Sequence, residues 1–85
     1  MSDVAELARK VAAILIRETQ LEDATPESFD LDVDLVEEVG LDSMDLTTVV
    51  LVLQDEFKIQ IPEDEYPNLT TVRKLADFVH RQLAG

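Results

Sequence analysis

Apolar positions fall into three blocks, separated by polar stretches that contain proline or glycine. In the first, Val4, Leu7, Ala8, Val11, Ile14 and Leu15 recur every three or four residues, the spacing of one helix face over about Asp3 to Thr19. Ile16 falls off that stripe, and Asp3 followed three residues later by Glu6 resembles a capping box. The last block predicts a helix opening at Thr70 or Thr71, with Val72, Leu75, Ala76, Val79 and Leu83 turned inward. The middle block, Asp42 to Phe57, is ambiguous by local rules. Thr47-Thr48-Val49-Val50-Leu51-Val52-Leu53 is rich in β-branched residues and suits a strand. Leu46, Val49, Val50, Leu53 and Phe57 nevertheless keep helical spacing, and the span exceeds most strands. Gly40 before it, Asp42 as N-cap and Asp45 at the third helical position supply a start signal, which favours a helix.

Between the first two blocks lies a 22-residue stretch, Gln20 to Leu41, longer than a structureless loop in a compact domain should be. Leu21, Phe29, Leu31, Leu35, Val36 and Val39 are placed to pin it as an ordered crossover, with a turn of helix near Leu35–Val39. Its length leaves the relative direction of the first two helices open. After the connector Lys58 to Pro62, the segment Pro62-Glu63-Asp64-Glu65-Tyr66 predicts one short helical turn, with Pro62 at the first helical position and Pro67 ending it. The expected fold is all-α: a small four-helix bundle of three main helices and one short one, residues 1–85 forming a single domain.

Charge changes this picture more than composition does. Seven Lys+Arg against nineteen Asp+Glu leave a net charge of −12, which repels phosphate backbones and argues against nucleic-acid binding. The hydrophobic fraction of 46% is too high for a solvating acidic tail. Twelve of the acids lie between Thr19 and Phe57, where there is no Lys or Arg. A single-sign field over half a small domain attracts a basic partner, whereas a merely solubilising surface mixes both signs. The chain has no cysteine, so disulfides, thiolate zinc sites and cysteine nucleophiles are excluded. No apolar run is long enough to span a membrane. The opening Met1-Ser2-Asp3-Val4-Ala5-Glu6 has acids where a signal peptide is basic, so a soluble, cytoplasmic domain is expected, and a monomer is the expected state.

Few residues can carry chemistry. Asp30-x-Asp32-x-Asp34 resembles the opening of a calcium loop, but Leu35 stands where that loop needs Gly and Leu41 where it needs a bidentate Glu, so no metal site is expected. The only histidine, His80, is placed beside the inward stripe of the last helix as a surface or boundary residue. With two glycines there is no phosphate-cradling loop and no nucleophile elbow, and an enzyme is not expected. The middle helix is more informative. At about 100° per residue, the face opposite its core stripe carries Met44, Thr48, Leu51 and Asp55, flanked by Thr47 and Val52. Apolar side chains framed by Asp42, Asp45, Asp55 and Glu56 are what a docking helix offers to a basic groove. Ser43 stands at the start of this helix. If Asp42 is the cap, the Ser43 hydroxyl is free at a helix N-terminus, where an attached anion is favoured; spacing alone also admits Ser43 as the cap.

Gly40-Leu41-Asp42-Ser43-Met44-Asp45 resembles the attachment motif of acyl carrier proteins, and Leu53-Gln54-Asp55-Glu56-Phe57, Ile61-Pro62 and Leu69-Thr70-Thr71-Val72 are similar to later landmarks of that family in the same order. The resemblance covers most of the chain. It implies a four-helix carrier with 4′-phosphopantetheine attached covalently at Ser43, beside Asp42. It implies acyl chains held as thioesters on that arm, and no catalysis by the carrier. The partners implied are a phosphopantetheinyl transferase and the acyltransferases and ketosynthases of a fatty-acid or polyketide pathway. Met44, Thr47 and Leu51 match partner-docking positions, with Asp45, Asp55 and Glu56 as the acids around them; Val50, Ile61 and Leu69 match positions near an acyl cavity. Thr48 and Gln54 stand where acids are frequent in fatty-acid carriers, which leaves room for a specialised pathway such as polyketide assembly. The alternatives are a peptidyl carrier protein, whose frequent Gly-Gly pattern Leu41 interrupts, and an unmodified acidic protein-interaction module.

Overall fold

Three α-helices and one short 3-10 helix, with no strand among the described residues, make up the computed structural model of the chain, which describes residues 3–22 and 24–84. Helix α1 spans Asp3–Thr19, α2 Ser43–Phe57 and α3 Val72–Ala84, and the 3-10 helix covers Glu63–Asn68. The signal-peptide question at Met1 and Ser2, and the Asp3 side chain invoked for a capping box, lie outside the described residues. The β-branched run Thr47–Leu53 is helical because its stripe has a core to bury. Val49, Val50 and Leu53 are buried, and packing outweighs a local strand preference.

Helix α1 packs against both α2 and α3. Its buried side, Leu7, Ala8, Val11, Ala12, Ile14 and Leu15, meets Val49, Val50 and Leu53 of α2 and Val72, Leu75, Ala76, Phe78 and Val79 of α3 in one core. One expectation for α3 fails. Leu83 is 54% exposed, because the final turn runs past the last core layer, and Phe78 is buried in its place. Thr71 acts as the cap: its hydroxyl accepts from the Lys74 N–H at 3.1 Å, and its carbonyl accepts from Leu75 at 3.0 Å. His80 is half-buried at the edge of the helix, as its spacing predicts.

The other helix ends carry little sequence signal. Gln20 and Lys58 adopt left-handed conformations at φ 55° and 57°, and the residues after them donate back to Ile16 at 3.2 Å and Gln54 at 3.1 Å. These are Schellman-type stops built without glycine. In the 3-10 helix Pro62 is the N-cap rather than the first helical residue, and Pro67 lies inside the helix instead of ending it. The bonds there run between residues three apart, so the ring's clash with the carbonyl four residues back, which breaks an α-helix, does not decide the matter.

The long connection is ordered as expected, but by more than apolar side chains. Leu35 is fully buried, and Leu21, Phe29, Leu31 and Val39 pack on the core. Val36, expected to help pin the segment, is 43% exposed because the turn that buries Leu35 and Val39 directs it outward. The Asp34 carboxylate starts this turn by accepting from the N–H groups of Val36 and Glu37 at 2.9 and 2.8 Å. Arg9 of α1 donates to the Pro26 carbonyl at 2.8 Å, fixing the near half of the connection.

Candidate functional site

The connection delivers the chain to α2 through one special backbone position. Gly40 has φ +91°, a conformation that side chains with a Cβ rarely adopt, although the space around it is open. The Leu41 N–H then closes on the Leu35 carbonyl at 2.9 Å, and Leu41 is buried. The next residue, Asp42, is extended at φ −95°, ψ 179°, and its carboxylate accepts from the Asp45 N–H at 2.9 Å. Asp45 answers with a longer bond of 3.4 Å from the Asp42 N–H, completing a capping box. This settles the choice left open by spacing: Asp42 is the cap and Ser43 is the first helical residue.

Ser43 is exposed, and its hydroxyl makes no hydrogen bond among the described residues. The first backbone donors past the cap that are taken are those of Asp45 and Leu46, so the N–H groups of Ser43 and Met44 point out of the helix end with no partner among the described residues. From this end the outward face of α2 runs Met44, Thr48, Leu51, Asp55, all exposed; Met44 is 76% and Leu51 54% accessible. Thr47 and Val52 flank it half-buried, Asp45 is half-buried beside the cap, and Glu56 is exposed at the far end. The hydroxyls of Thr47 and Thr48 turn back to the carbonyls of Ser43 and Met44 at 2.8 and 3.0 Å, which leaves their methyl groups as the surface presented.

Residues 9–79 match the family model described as a phosphopantetheine attachment site. The chain belongs to the phosphopantetheine-attachment family. It is also 29% identical over 80 residues to an acyl carrier protein of Thermosynechococcus vestitus (strain NIES-2133 / IAM M-273 / BP-1), an overlap that covers 94% of this chain and 95% of the relative. The family match makes 4′-phosphopantetheine, held covalently, the cofactor of this carrier. The residues present fit such a group. A phosphodiester needs an accessible hydroxyl, and the unengaged Ser43 oxygen stands at the positive end of a helix beside two free N–H donors.

The three residues expected near an acyl cavity, Val50, Ile61 and Leu69, are all buried in the carrier core. Ile61 is held by a residue whose role was not legible in the sequence. The Gln54 side-chain carbonyl accepts from the Ile61 N–H at 2.7 Å, tying the connector after α2 to that helix. Gln54 is therefore half-buried and occupied, not an acid missing from the outward face. An open groove of about 290 Å³ lies elsewhere, between Lys10, Ala13 and Ile14 of α1 and Glu56 and Phe57 at the far end of α2.

The aspartates that resemble a calcium loop are each engaged with the protein itself. Asp30 accepts from the Asp32 N–H at 2.9 Å, and Asp34 caps the turn at 36–37. Asp32 meets Arg73 of α3 in a two-pronged pair at 2.6 and 3.2 Å. The hydrogen bond from Arg73, opposed by desolvation and aided by the guanidinium charge, holds the Asp32 carboxyl below its ordinary range. The same pair holds the Arg73 guanidinium above its own. Among the described residues no cluster of three His, Cys, Asp or Glu is arranged to hold a metal ion, and no helix is long and apolar enough to cross a membrane.

Proposed function

We propose that residues 1–85 act as one acyl carrier domain, a cytoplasmic monomer in which Ser43 bears the 4′-phosphopantetheine arm and the chain itself catalyses nothing. The observation that carries this reading is an exposed, unengaged serine hydroxyl at the first position of α2, inside the stretch that matches the attachment family. The arm, once attached, supplies a terminal thiol on which acyl chains are held as thioesters. A phosphopantetheinyl transferase is the first partner. Ser43 Oγ loses its proton and forms a new P–O bond as the pyrophosphate link of coenzyme A breaks and the nucleotide half leaves.

Later partners are the acyltransferases and ketosynthases of a fatty-acid or polyketide pathway, docking on Met44, Thr47 and Leu51 with Asp45, Asp55 and Glu56 around them. Met44 and Leu51 support this assignment, since apolar side chains so exposed on an acid-framed helix suit a groove lined by bases. Val50, Ile61 and Leu69 are the residues we assign to shelter an acyl chain, on the strength of their burial in the one core.

The test is intact mass before and after incubation with coenzyme A, magnesium and a broad-specificity transferase. One phosphopantetheine on the native chain and none on Ser43→Ala is expected. Equal loading of the Ser43→Ala chain, or none on a folded and previously unmodified native chain, overturns the assignment.

A further inference from the structure

The loop that presents Ser43 is held from the other side of the molecule. The Leu35 N–H donates to the Thr70 carbonyl at 2.8 Å, and the Arg73 N–H donates to the Leu31 carbonyl at 2.9 Å. The Arg73 guanidinium grips Asp32 between those two points with two bonds. Leu35 in turn receives the Leu41 N–H, one residue before the Asp42 cap. A continuous series of bonds thus runs from residues 70–73, at the start of α3, through residues 31–41 to the start of α2. Among the described residues, the contacts that cross from residues 70–73 to this loop are with one exception backbone bonds, which any sequence could make. The exception is the Arg73–Asp32 pair, which spans 41 residues of sequence and depends on both side chains.

We propose that Arg73 is a positioning residue for the attachment site: its grip on Asp32 keeps the loop before Ser43 in the arrangement that a partner enzyme meets. The role in loading rests on the assignment of Ser43 above, whereas the role in holding the loop does not. Planar guanidinium and carboxylate groups fix orientation as well as distance, so the pair selects one loop geometry where a single-point contact would admit several. Both groups are exposed, and a pair of this kind biases an equilibrium by about fivefold at most. That is too little to hold the fold together and enough to set the population of a loop conformer.

The test compares Arg73→Ala, Asp32→Asn and the double variant with the native chain, using Arg81→Ala as control. Arg81 makes an equally exposed pair with Asp77 on the same helix, away from the loop. Amide hydrogen exchange at Leu35 and Leu41 is expected to quicken about two- to fivefold in both single variants, with the double no worse than either, while the amide of Leu53 and the Arg81→Ala chain are unaffected. In phosphopantetheine loading the same variants should raise KM about two- to fivefold at unchanged kcat, since a misplaced loop weakens the encounter and leaves the bound serine competent.

Unchanged exchange at Leu35 and Leu41 overturns the proposal. So does exchange that quickens equally at Leu53, which means general loosening, or a fall in kcat with KM unchanged. If the native chain takes no arm, the assignment of Ser43 fails, and the exchange measurement alone decides whether Arg73 holds the loop.

Discussion

Replacing Asp42 by alanine removes the acceptor that the Asp45 N–H meets at 2.9 Å and leaves the first turn of α2 without its cap. The reciprocal bond from the Asp42 N–H to Asp45 survives, but at 3.4 Å it compensates little. Loss of such a cap costs about 1 kcal/mol, within a range of roughly 0.5–2. Charge complicates the sign. Taking one carboxylate from an acid-rich region relieves repulsion, and it also removes a favourable interaction with the positive helix end. Asp42→Asn separates these effects. It removes the same charge and keeps an acceptor of equal capping strength, so the difference between the Ala and Asn chains isolates the hydrogen bond.

For a domain of this size about 1 kcal/mol corresponds to roughly 4–8 °C in Tm. Thermal unfolding followed by far-ultraviolet circular dichroism at neutral pH and physiological salt should place Asp42→Ala that far below Asp42→Asn. The Asn chain itself should lie within about 3 °C of the native one. Ala and Asn chains that melt together would refute the capping argument, and with it the account of why Ser43 is left free.

Other perturbations probe the route by which the chain reaches that cap. Leu35→Ala, at a fully buried position in a connection without regular helix, should cost about 2–5 kcal/mol in urea unfolding; a loss below about 1 kcal/mol means the loop is not part of the core. Gly40→Ala meets open space, so its whole cost is backbone strain, about 1–2 kcal/mol, and Gly40→Asn should cost less; a neutral Gly40→Ala shows that the positive φ is dispensable. The Asp32 carboxyl is depressed in the folded chain, so its pairing contributes stability above the ordinary carboxylate range, and this is lost as pH falls through the depressed value. The gap in Tm between the native chain and Arg73→Ala should therefore close on acidification; a gap that stays constant into strong acid contradicts the pair.

Periodicity made the three main helices legible, because each buries a stripe against the same core. Capping chemistry made the start of α2 legible to the residue, once Asp42 and Ser43 were separated by their bonds. What escaped has identifiable physical causes. Left-handed stops at Gln20 and Lys58 carry no glycine to mark them. Wheel arithmetic extends the inward stripe of α3 to Leu83 because it takes no account of where the packing partner ends, and it passes over Phe78 at the edge of the stripe. The Gln54–Ile61 bond and the Arg73–Asp32 pair join positions whose closeness is a product of the fold, so no local pattern announces them. Of the expected site residues, the outward face of α2 could be read from spacing, whereas the assignment of the cap to Asp42 rather than Ser43 needed the bonds themselves. Ile61 and Leu69 entered only through family likeness.

Two groups among the acids of this chain differ in physical meaning. Asp30, Asp34, Asp42 and Asp45 accept backbone N–H bonds, and Asp32 holds a guanidinium; each stabilises a turn, a cap or a crossing of the chain. Local structure accounts for them even in a protein with no partner. Asp55 and Glu56 have no such role. They sit in the last turn of α2, at the negative end of the helix dipole, where that turn contains no basic residue and where carboxylates are unfavourable. Neither makes an ion pair among the described residues. Their position opposes the stability of the helix that carries them, which supports the docking role proposed for them above. Under that proposal, a basic partner laid along Met44, Thr48 and Leu51 would meet Asp55 at the far end of the same face, with Glu56 on its flank towards the groove against α1, and would neutralise charge that the last turn of the helix leaves uncompensated.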